Sequence, residues 1–202
     1  MKLGPKFKIA RRLGAPIFEK TQTQKFKTSL SEGTGGKKRS MMKSDYGRQM
    51  IEKQKARFTY GISEAQFSKY VKGVIKSKVS NPTNKIFELL ETRLDNVATK
   101  LGLASTRRFG RQIVSHGHVL VNGRKVTVPS YTVKANDKIA VREGSKSTVM
   151  FKELGTKIKE VQTPAWLTWD TEKMQATVLK LPTIDGQDLL FDLGAVIEFY
   201  KR

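Results

Sequence analysis

Residues 93–133 read RLDNVATKLGLASTRRFGRQIVSHGHVLVNGRKVTVPSYTV, and the local signals in this stretch decide the fold. Leu94, Val97 and Leu101 continue a helical apolar spacing begun at Ile86, Leu89 and Leu90 after the Asn81-Pro82 break, and Gly102 offers a C-terminal cap. One long helix is predicted. Ser105 is placed to cap a short second helix, TRRFGRQIVSHG, with Phe109 and Ile113 on one face and Gly117 at its end. His118 to Val128 then holds two β-branched runs around Asn122-Gly123, a hairpin signal because both residues tolerate positive φ. Ile139 and Val141, after Asn136-Asp137, predict a further strand. The class is α+β.

The second helix carries chemistry. Arg107 and Arg108 fall in its first turn, where the helix dipole disfavours cations, so a stability account alone would place acids there. Free N–H groups at a helix N-terminus together with Arg107, Arg108 and Arg111 form a phosphate site, since guanidinium engages phosphate oxygens bidentately. The competing reading is a solvated basic face. The Asn122-Gly123 dipeptide reads as a turn rather than a base contact, with Arg124 and Lys125 beside it.

Composition points the same way. The 202 residues hold 39 Lys and Arg against 18 Asp and Glu, a formal net charge of +21, and 38% are hydrophobic, enough for compact cores. A polyanionic partner follows, and nucleic acid fits because each neutralised phosphate releases counterions. No apolar run approaches the roughly 18–20 residues of a membrane span, and no lipidation motif occurs, so no membrane partner is expected. Cysteine is absent, which excludes disulfides, thiolate zinc sites and a Cys nucleophile. The basic, acid-poor start MKLGPKFKIARRLG contains Gly4-Pro5 and no secretory apolar run, and is retained as mature protein.

Charge is unevenly spread. Residues 1–60 carry 16 basic and 4 acidic side chains, residues 91–143 carry 10 and 4, and residues 160–202 carry 4 and 7, so the binding surface belongs to the first two segments. Residues 21–43, rich in Thr, Ser, Gly and Lys, are expected to stay extended or loop-like without RNA. A helix is predicted from Ser44, with Tyr46, Met50 and Ile51 along its apolar edge among Arg48, Lys53, Lys55 and Arg57, and Gly61 interrupts it. Ser63-Glu-Ala-Gln66 has capping-box spacing before an amphipathic helix with Phe67, Tyr70, Val71, Val74 and Ile75. The expected organisation is a basic helical domain at 1–90, an RNA-binding module at 91–152, and a segment at 153–202 that packs back on the first domain. Trp166 and Trp169 are expected to alternate in a strand as core or partner contacts.

The stretch quoted above resembles the small RNA-binding domain named after ribosomal protein S-four. LGPKFKIARR, SDYGRQMIEKQKARFTYGISEAQF, the P-x-W-L run and V-I-E-F-Y near the end resemble the same small-subunit ribosomal protein family, so the resemblance covers nearly the whole chain. It implies a structural, non-enzymatic constituent of the small ribosomal subunit in the cytoplasm. Such a protein clamps a multi-helix junction in the 5′ domain of small-subunit rRNA early in assembly. It also lies near the path by which mRNA enters, with small-subunit protein S-five as the candidate neighbour.

Carried over by position, Arg93, Asp95, Asn96, Arg107, Arg108, Arg111, Gln112, Ser115, His116, Asn122 and Gly123 belong to the domain's pattern. Asp95 and Asn96 are expected to organise a helix–helix corner, since a carboxylate beside the RNA backbone would be repelled. The RNA-binding candidates are Lys6, Lys8, Arg11, Arg12, Lys37, Lys38, Arg39, Lys43, Tyr46, Arg48, Lys53, Lys55, Arg57, Arg93, Arg107, Arg108, Arg111, Gln112, Ser115, His116, Arg124 and Lys125. Lys37, Lys38, Arg39 and Lys43 are placed near incoming mRNA by resemblance alone; rRNA phosphate neutralisation is the plainer account of them. The stretch at Gly33–Arg39 lacks the Pro-Gly-x-His-Gly run of other bacterial members, and the zinc site that some relatives build from cysteines cannot be carried over. His116 and His118, separated by Gly117, have no other imidazole or thiolate partner and flank the predicted helix end, so a capping or RNA-contact role is expected of them rather than a metal, and no cofactor is expected.

Two other classes compete. An RNA-modifying enzyme carrying the same module would need a catalytic domain, and the flanks show no glycine fingerprint, metal cluster or strand pattern for one. A general RNA-packaging protein would be served by net charge alone, but the organised helix and hairpin argue against it.

Overall fold

Local signals place most of the helices in the computed structural model, which describes residues 3–31, 44–148, 151, 163–170, 173–184 and 189–202. Helix α1 (Lys6–Leu13) ends on Gly14 at φ 68°, a left-handed cap that a Cβ would strain. Ser44 Oγ accepts from Gly47 N to start α3 (Asp45–Tyr60), and Gly61 at φ 62° ends it. Ser63 Oγ accepts from Gln66 N to start α4 (Glu64–Lys76), as its spacing predicts. Asn81 Oδ1 accepts from Asn84 N, and Pro82 occupies the first position of α5 (Pro82–Glu91).

The described residues belong to two compact units, Met1–Ile86 with Asp185–Arg202, and Phe87–Ile184. The C-terminal segment that sequence treats as one piece at 153–202 therefore contributes to both.

In the first unit, α2 (Gln24–Ser31) is a helix where the sequence predicts an extended segment. Phe26 explains the difference: it is buried against Ala10, Leu13, Ala15, Ile17 and Phe18, with Leu30 one turn on, so packing supplies what polar composition withholds. The remainder of that expectation, residues 32–43, lies outside the described residues. Helix α8 (Leu193–Lys201), capped by Asp192 Oδ1 accepting from Gly194 N and Ala195 N, packs on α3. Gln49 Nε2 donates to Glu198 (3.1 Å), Tyr46 and Phe199 rings lie 5.4 Å apart, and Asp192 N donates to Glu52 (2.9 Å).

Glu64 sits at the centre of this packing and accepts from Lys53 Nζ (2.9 Å) and the Tyr200 hydroxyl (2.7 Å). Burial alone would raise its pKa. The hydrogen bonds from Lys53 and Tyr200 and the charges of Lys53 and Arg57 outweigh burial and hold it below the ordinary 4.5. A depressed carboxylate stabilises the fold above its ordinary pKa, and that contribution fades as pH falls through the folded value. The melting temperature is therefore expected to fall on acidification below about pH 4.5, and Glu64→Gln is expected to flatten that limb. An unchanged limb in the variant would refute the assignment.

In the second unit, the predicted long helix is broken. The apolar period runs on from α5 into α6 (Leu94–Lys100), yet Thr92 and Arg93 leave the helix to meet residues 129–133. Leu94 N donates to Tyr131 O (2.8 Å), Asp95 N to Pro129 O (3.1 Å), and Val133 N to Thr92 O (2.9 Å). These long-range backbone bonds replace the intrahelical ones. Helix α7 (Arg107–Ser115) follows, and Thr106, one residue beyond the expected Ser105, is its cap: Thr106 Oγ1 accepts from Phe109 N (3.1 Å).

The five described strands form an antiparallel sheet in the order β2-β1-β3-β5-β4, comprising β1 (Val119–Val121), β2 (Arg124–Lys125), β3 (Lys138–Val141), β4 (Leu167–Asp170) and β5 (Gln175–Val178). Asn122 (φ 51°) and Gly123 (φ 77°) turn β1 into β2. Asn122 also ties the tip down, donating from Nδ2 to Asp137 Oδ1 (2.8 Å) and accepting from Lys138 N (2.9 Å). One sheet face, with Val119, Val121, Ile139, Val141, Ala176 and Val178, packs with the apolar sides of α6 and α7. Trp166 is buried in this core just before β4, and Trp169 packs against it.

Gly110 lets α7 approach α6. A Cβ there would lie 2.6 Å from the Asp95 carbonyl oxygen and 2.7 Å from Thr99 Oγ1. Gly110→Ala is expected to destabilise this unit by about 1–3 kcal/mol, because the obstructing atom is backbone. Urea unfolding followed by fluorescence of the two tryptophans reads it, and a wild-type midpoint in the variant would refute it.

Candidate nucleic-acid interface

Asp95 and Asn96 stand side by side at the start of α6 and organise the arginines around them. Asp95 is almost fully buried, and its Oδ1 and Oδ2 accept from Arg93 Nε (3.0 Å) and Nη2 (2.7 Å). Its Oδ2 also accepts from Arg111 Nε (3.1 Å) and Nη2 (2.9 Å). Asn96 Oδ1 accepts from Arg107 Nε (2.7 Å), while its Nδ2 donates to the backbone oxygen (3.1 Å) and the carboxylate (3.0 Å) of Glu91. Arg107 and Arg111, one turn apart on α7, are thus held by adjacent residues of α6. Guanidiniums with fixed positions lose little conformational freedom on binding an anion, which is preorganisation.

Charge at this corner stays positive: the carboxylates of Asp95 and Glu91 face Arg93, Arg111 and Lys100, while Arg107 and the exposed Arg108 add two further cations. The first turn of α7 contains no acidic residue. Arg108, Gln112 and Ser115 recur along one exposed side of α7, and His116 follows them as the C-cap residue. This side joins four of the candidates on one surface.

Arg93 is a correction. Only 2% exposed, it is buried with its guanidinium on Asp95, so it scaffolds the corner and offers no face to RNA. An arginine can be buried only when paired, and Asp95 meets that condition.

Arg124 and Lys125 are both exposed at the hairpin. Lys125 folds over the end of α7: a Cβ on Gly117, whose φ is +74°, would lie 2.1 Å from Lys125 Cε and 3.0 Å from its Nζ. His118 Nδ1 and Ser145 Oγ are 2.9 Å apart. Burial, with His116, Arg142 and Lys125 nearby, holds His118 below its ordinary pKa, so it is neutral at pH 7. Among the described residues, no group of three His, Cys, Asp or Glu side chains could hold a metal ion.

In the first unit, Lys8, Arg11 and Arg12 of α1 are exposed, and Arg11 also lies over the Phe26 ring (6.0 Å). Lys6 is half-buried, 5.7 Å from the Phe18 ring centre. Tyr46 is exposed, and Arg48 beside it pairs with Asp45. Lys55 pairs with Glu52 (2.7 Å), and Arg57 packs on the Phe58 ring (4.5 Å) with Glu64 at 3.6 Å. Lys53 is the second correction: it is buried under Phe199 (4.4 Å) and bound to Glu64, which makes it part of the α8 packing. Lys37, Lys38, Arg39 and Lys43 lie outside the described residues.

Sequence reasoning passed over the exposed Lys134, Lys138 and Arg142, which add charge around the hairpin. It also missed Gly110, whose signal was a glycine inside a helical pattern.

Two family models match this chain. Residues 92–139 match the family model described as the S4 domain, and residues 2–91 match that of the Ribosomal protein S4/S9 N-terminal domain. Small ribosomal subunit protein uS4A of Alkaliphilus oremlandii is 42% identical over 202 residues, covering 96% of each chain. Small ribosomal subunit protein uS4 of Ligilactobacillus salivarius is 40% identical over 199 residues, covering 98% of each. Its counterpart in Chloroflexus aurantiacus is 41% identical over 204 residues, covering 99% of this chain and 98% of the relative.

Proposed function

This chain belongs to the uS4 family of small ribosomal subunit proteins, and we propose that within that structural role its two basic surfaces bind small-subunit rRNA as a clamp. The observation that carries this reading is the α6–α7 corner, where Asp95 and Asn96 fix Arg111 and Arg107 beside exposed Arg108 in a helix turn that has no acid. Such an arrangement conflicts with the helix dipole and gains its purpose from an incoming phosphate. The exposed cations of α1 supply a second grip on the backbone.

The target is a multi-helix junction in the 5′ domain of small-subunit rRNA, read through shape and phosphate positions rather than base sequence. Binding early in assembly would fix the orientation of RNA helices that meet there. The protein works in the cytoplasm, within the ribosome, beside small-subunit protein S-five. No described helix is long and apolar enough to cross a membrane. The uS4 family is not an enzyme family, and no catalytic step is assigned.

The test is equilibrium binding of the full chain to 5′-domain rRNA and to an unrelated RNA of equal length across a salt series. A site-specific binder keeps a large preference for its junction at physiological salt. Equal affinity for both RNAs would return the protein to the packaging class. For Lys37, Lys38, Arg39 and Lys43 we propose contact with incoming mRNA, supported by their charge and by the resemblance. Replacing them with Ala should slow translation of strongly structured messages, and equal rates on structured and unstructured messages would reject the contact.

A further inference from the structure

A cavity of about 470 Å³ opens between α1 and α3 within the first unit. Its floor is apolar, formed by Ile9, Leu13, Ile51 and the ring of Phe58. Arg12, Arg57 and Gln54 stand among the other lining residues, and none of those residues is acidic. Cavities that enclose small organic ligands run from about 300 to 1,000 Å³, so the space suits one nucleoside with room to spare.

We propose that this groove receives a single unstacked nucleobase of the bound RNA, with a flanking phosphate on Arg12. The inference rests on the rRNA-binding reading above and adds to it the class of ligand at one place. Three features commit the groove to a nucleotide rather than to a peptide. Its walls offer aliphatic carbon and the Phe58 ring capped by the Arg57 guanidinium, and a base stacks favourably on such an aromatic–guanidinium surface. Arg12 gives the mouth of the lining a positive charge, complementary to a phosphate and repulsive to a basic peptide, while Arg57 is held by Gln54 and Glu64. Gln54 spends its Oε1 on Arg57 Nε (3.0 Å), which leaves its amide NH₂ to face a base edge as a donor. Arg57 is packed on Phe58 at 4.5 Å, so aromatic ring and guanidinium already form one surface. Arg12 is exposed at the mouth. Single-stranded RNA is bound elsewhere by this combination of a basic track and a stacking surface.

Met50 lines the groove while remaining 38% exposed, so Met50→Trp fills the space without disturbing a buried core. The experiment measures full-chain wild type, Met50→Trp and Arg12→Ala against the 5′-domain small-subunit rRNA transcript, with base-specific chemical probing of each complex and circular dichroism of each protein. Wild type should protect one unpaired base on its pairing edge. Met50→Trp should bind about tenfold more weakly, the loss of one stacked base, and should restore reactivity at that position alone. Arg12→Ala should weaken binding and lower the salt dependence while the base stays partly protected. If wild type binds the rRNA selectively and Met50→Trp matches it in affinity and in every protected position, the groove takes no base and the clamp reading stands. If wild type shows no preference for this RNA, the clamp itself fails. An affinity loss in Met50→Trp with unchanged protections would overturn the nucleobase and point to a protein segment in the groove.

Discussion

Asp95→Ala is expected to lower the unfolding free energy of the 87–184 unit by about 3–5 kcal/mol, the largest effect of any single substitution proposed for this protein. Asp95 is the partner of a buried guanidinium, and Arg93 is only 2% exposed. Removing the carboxylate takes the Asp95 charge away from a guanidinium in a poorly hydrated site, and arginine does not lose its proton in proteins. The same change frees Arg111, whose Nε and Nη2 both rest on Asp95 Oδ2. Asp95→Asn keeps an acceptor but not the charge, and should fall between wild type and Ala. Both tryptophans of the chain lie in this unit, so their fluorescence reports its unfolding separately from the helical unit. A loss below about 1 kcal/mol, the scale of an exposed ion pair, would show that the pair is not the keystone of the corner.

The second large effect concerns binding. The double variant Arg107→Ala and Arg108→Ala should weaken affinity for 5′-domain rRNA roughly a hundredfold at moderate salt, as two charge-assisted contacts of about 1.5 kcal/mol each are lost. The slope of log affinity against log salt should shrink by about 1.5 to 2, one increment per phosphate released. Arg111 is left intact because its removal would disturb Asp95 and confuse stability with binding. Arg107 also donates to Asn96, and losing that bond costs roughly 1 kcal/mol. Relief of the conflict between two first-turn cations and the helix dipole returns about 0.3–1 kcal/mol each. The variant should therefore fold like wild type by tryptophan fluorescence. Wild-type affinity and an unchanged salt slope in that folded protein would remove α7 from the interface.

These two results bear on different links of one chain of causes. Asp95 and Asn96 act on packing, holding α6 against α7 and fixing where two guanidiniums stand. Arg107 and Arg108 act on recognition, and their value depends on that positioning. A variant at Asp95 should lose stability and affinity together, whereas the Arg variant should lose affinity while remaining as stable as wild type.

Sequence by itself determined the features whose causes lie within a few residues. Ser44 and Ser63 start helices because their hydroxyls reach N–H groups three residues on, and Gly61 ends one because it accepts positive φ. Asn122-Gly123 makes its hairpin for the same backbone reason. The α+β class and the concentration of charge in two segments are likewise local sums. Tertiary structure decided the rest. The apolar period gives no sign that α5 and α6 are separate, because the break is made by backbone bonds to residues 129–133. The chain at 24–31 is polar enough to read as a loop, yet burying Phe26 makes it a helix. Strands β4 and β5 join the sheet through β3, a pairing that no local signal announces. Arg93 and Lys53 look like RNA ligands beside the other cations of the chain. Whether a charged side chain faces water or the interior depends on whether the fold brings a carboxylate to it, and Asp95 and Glu64 do so here.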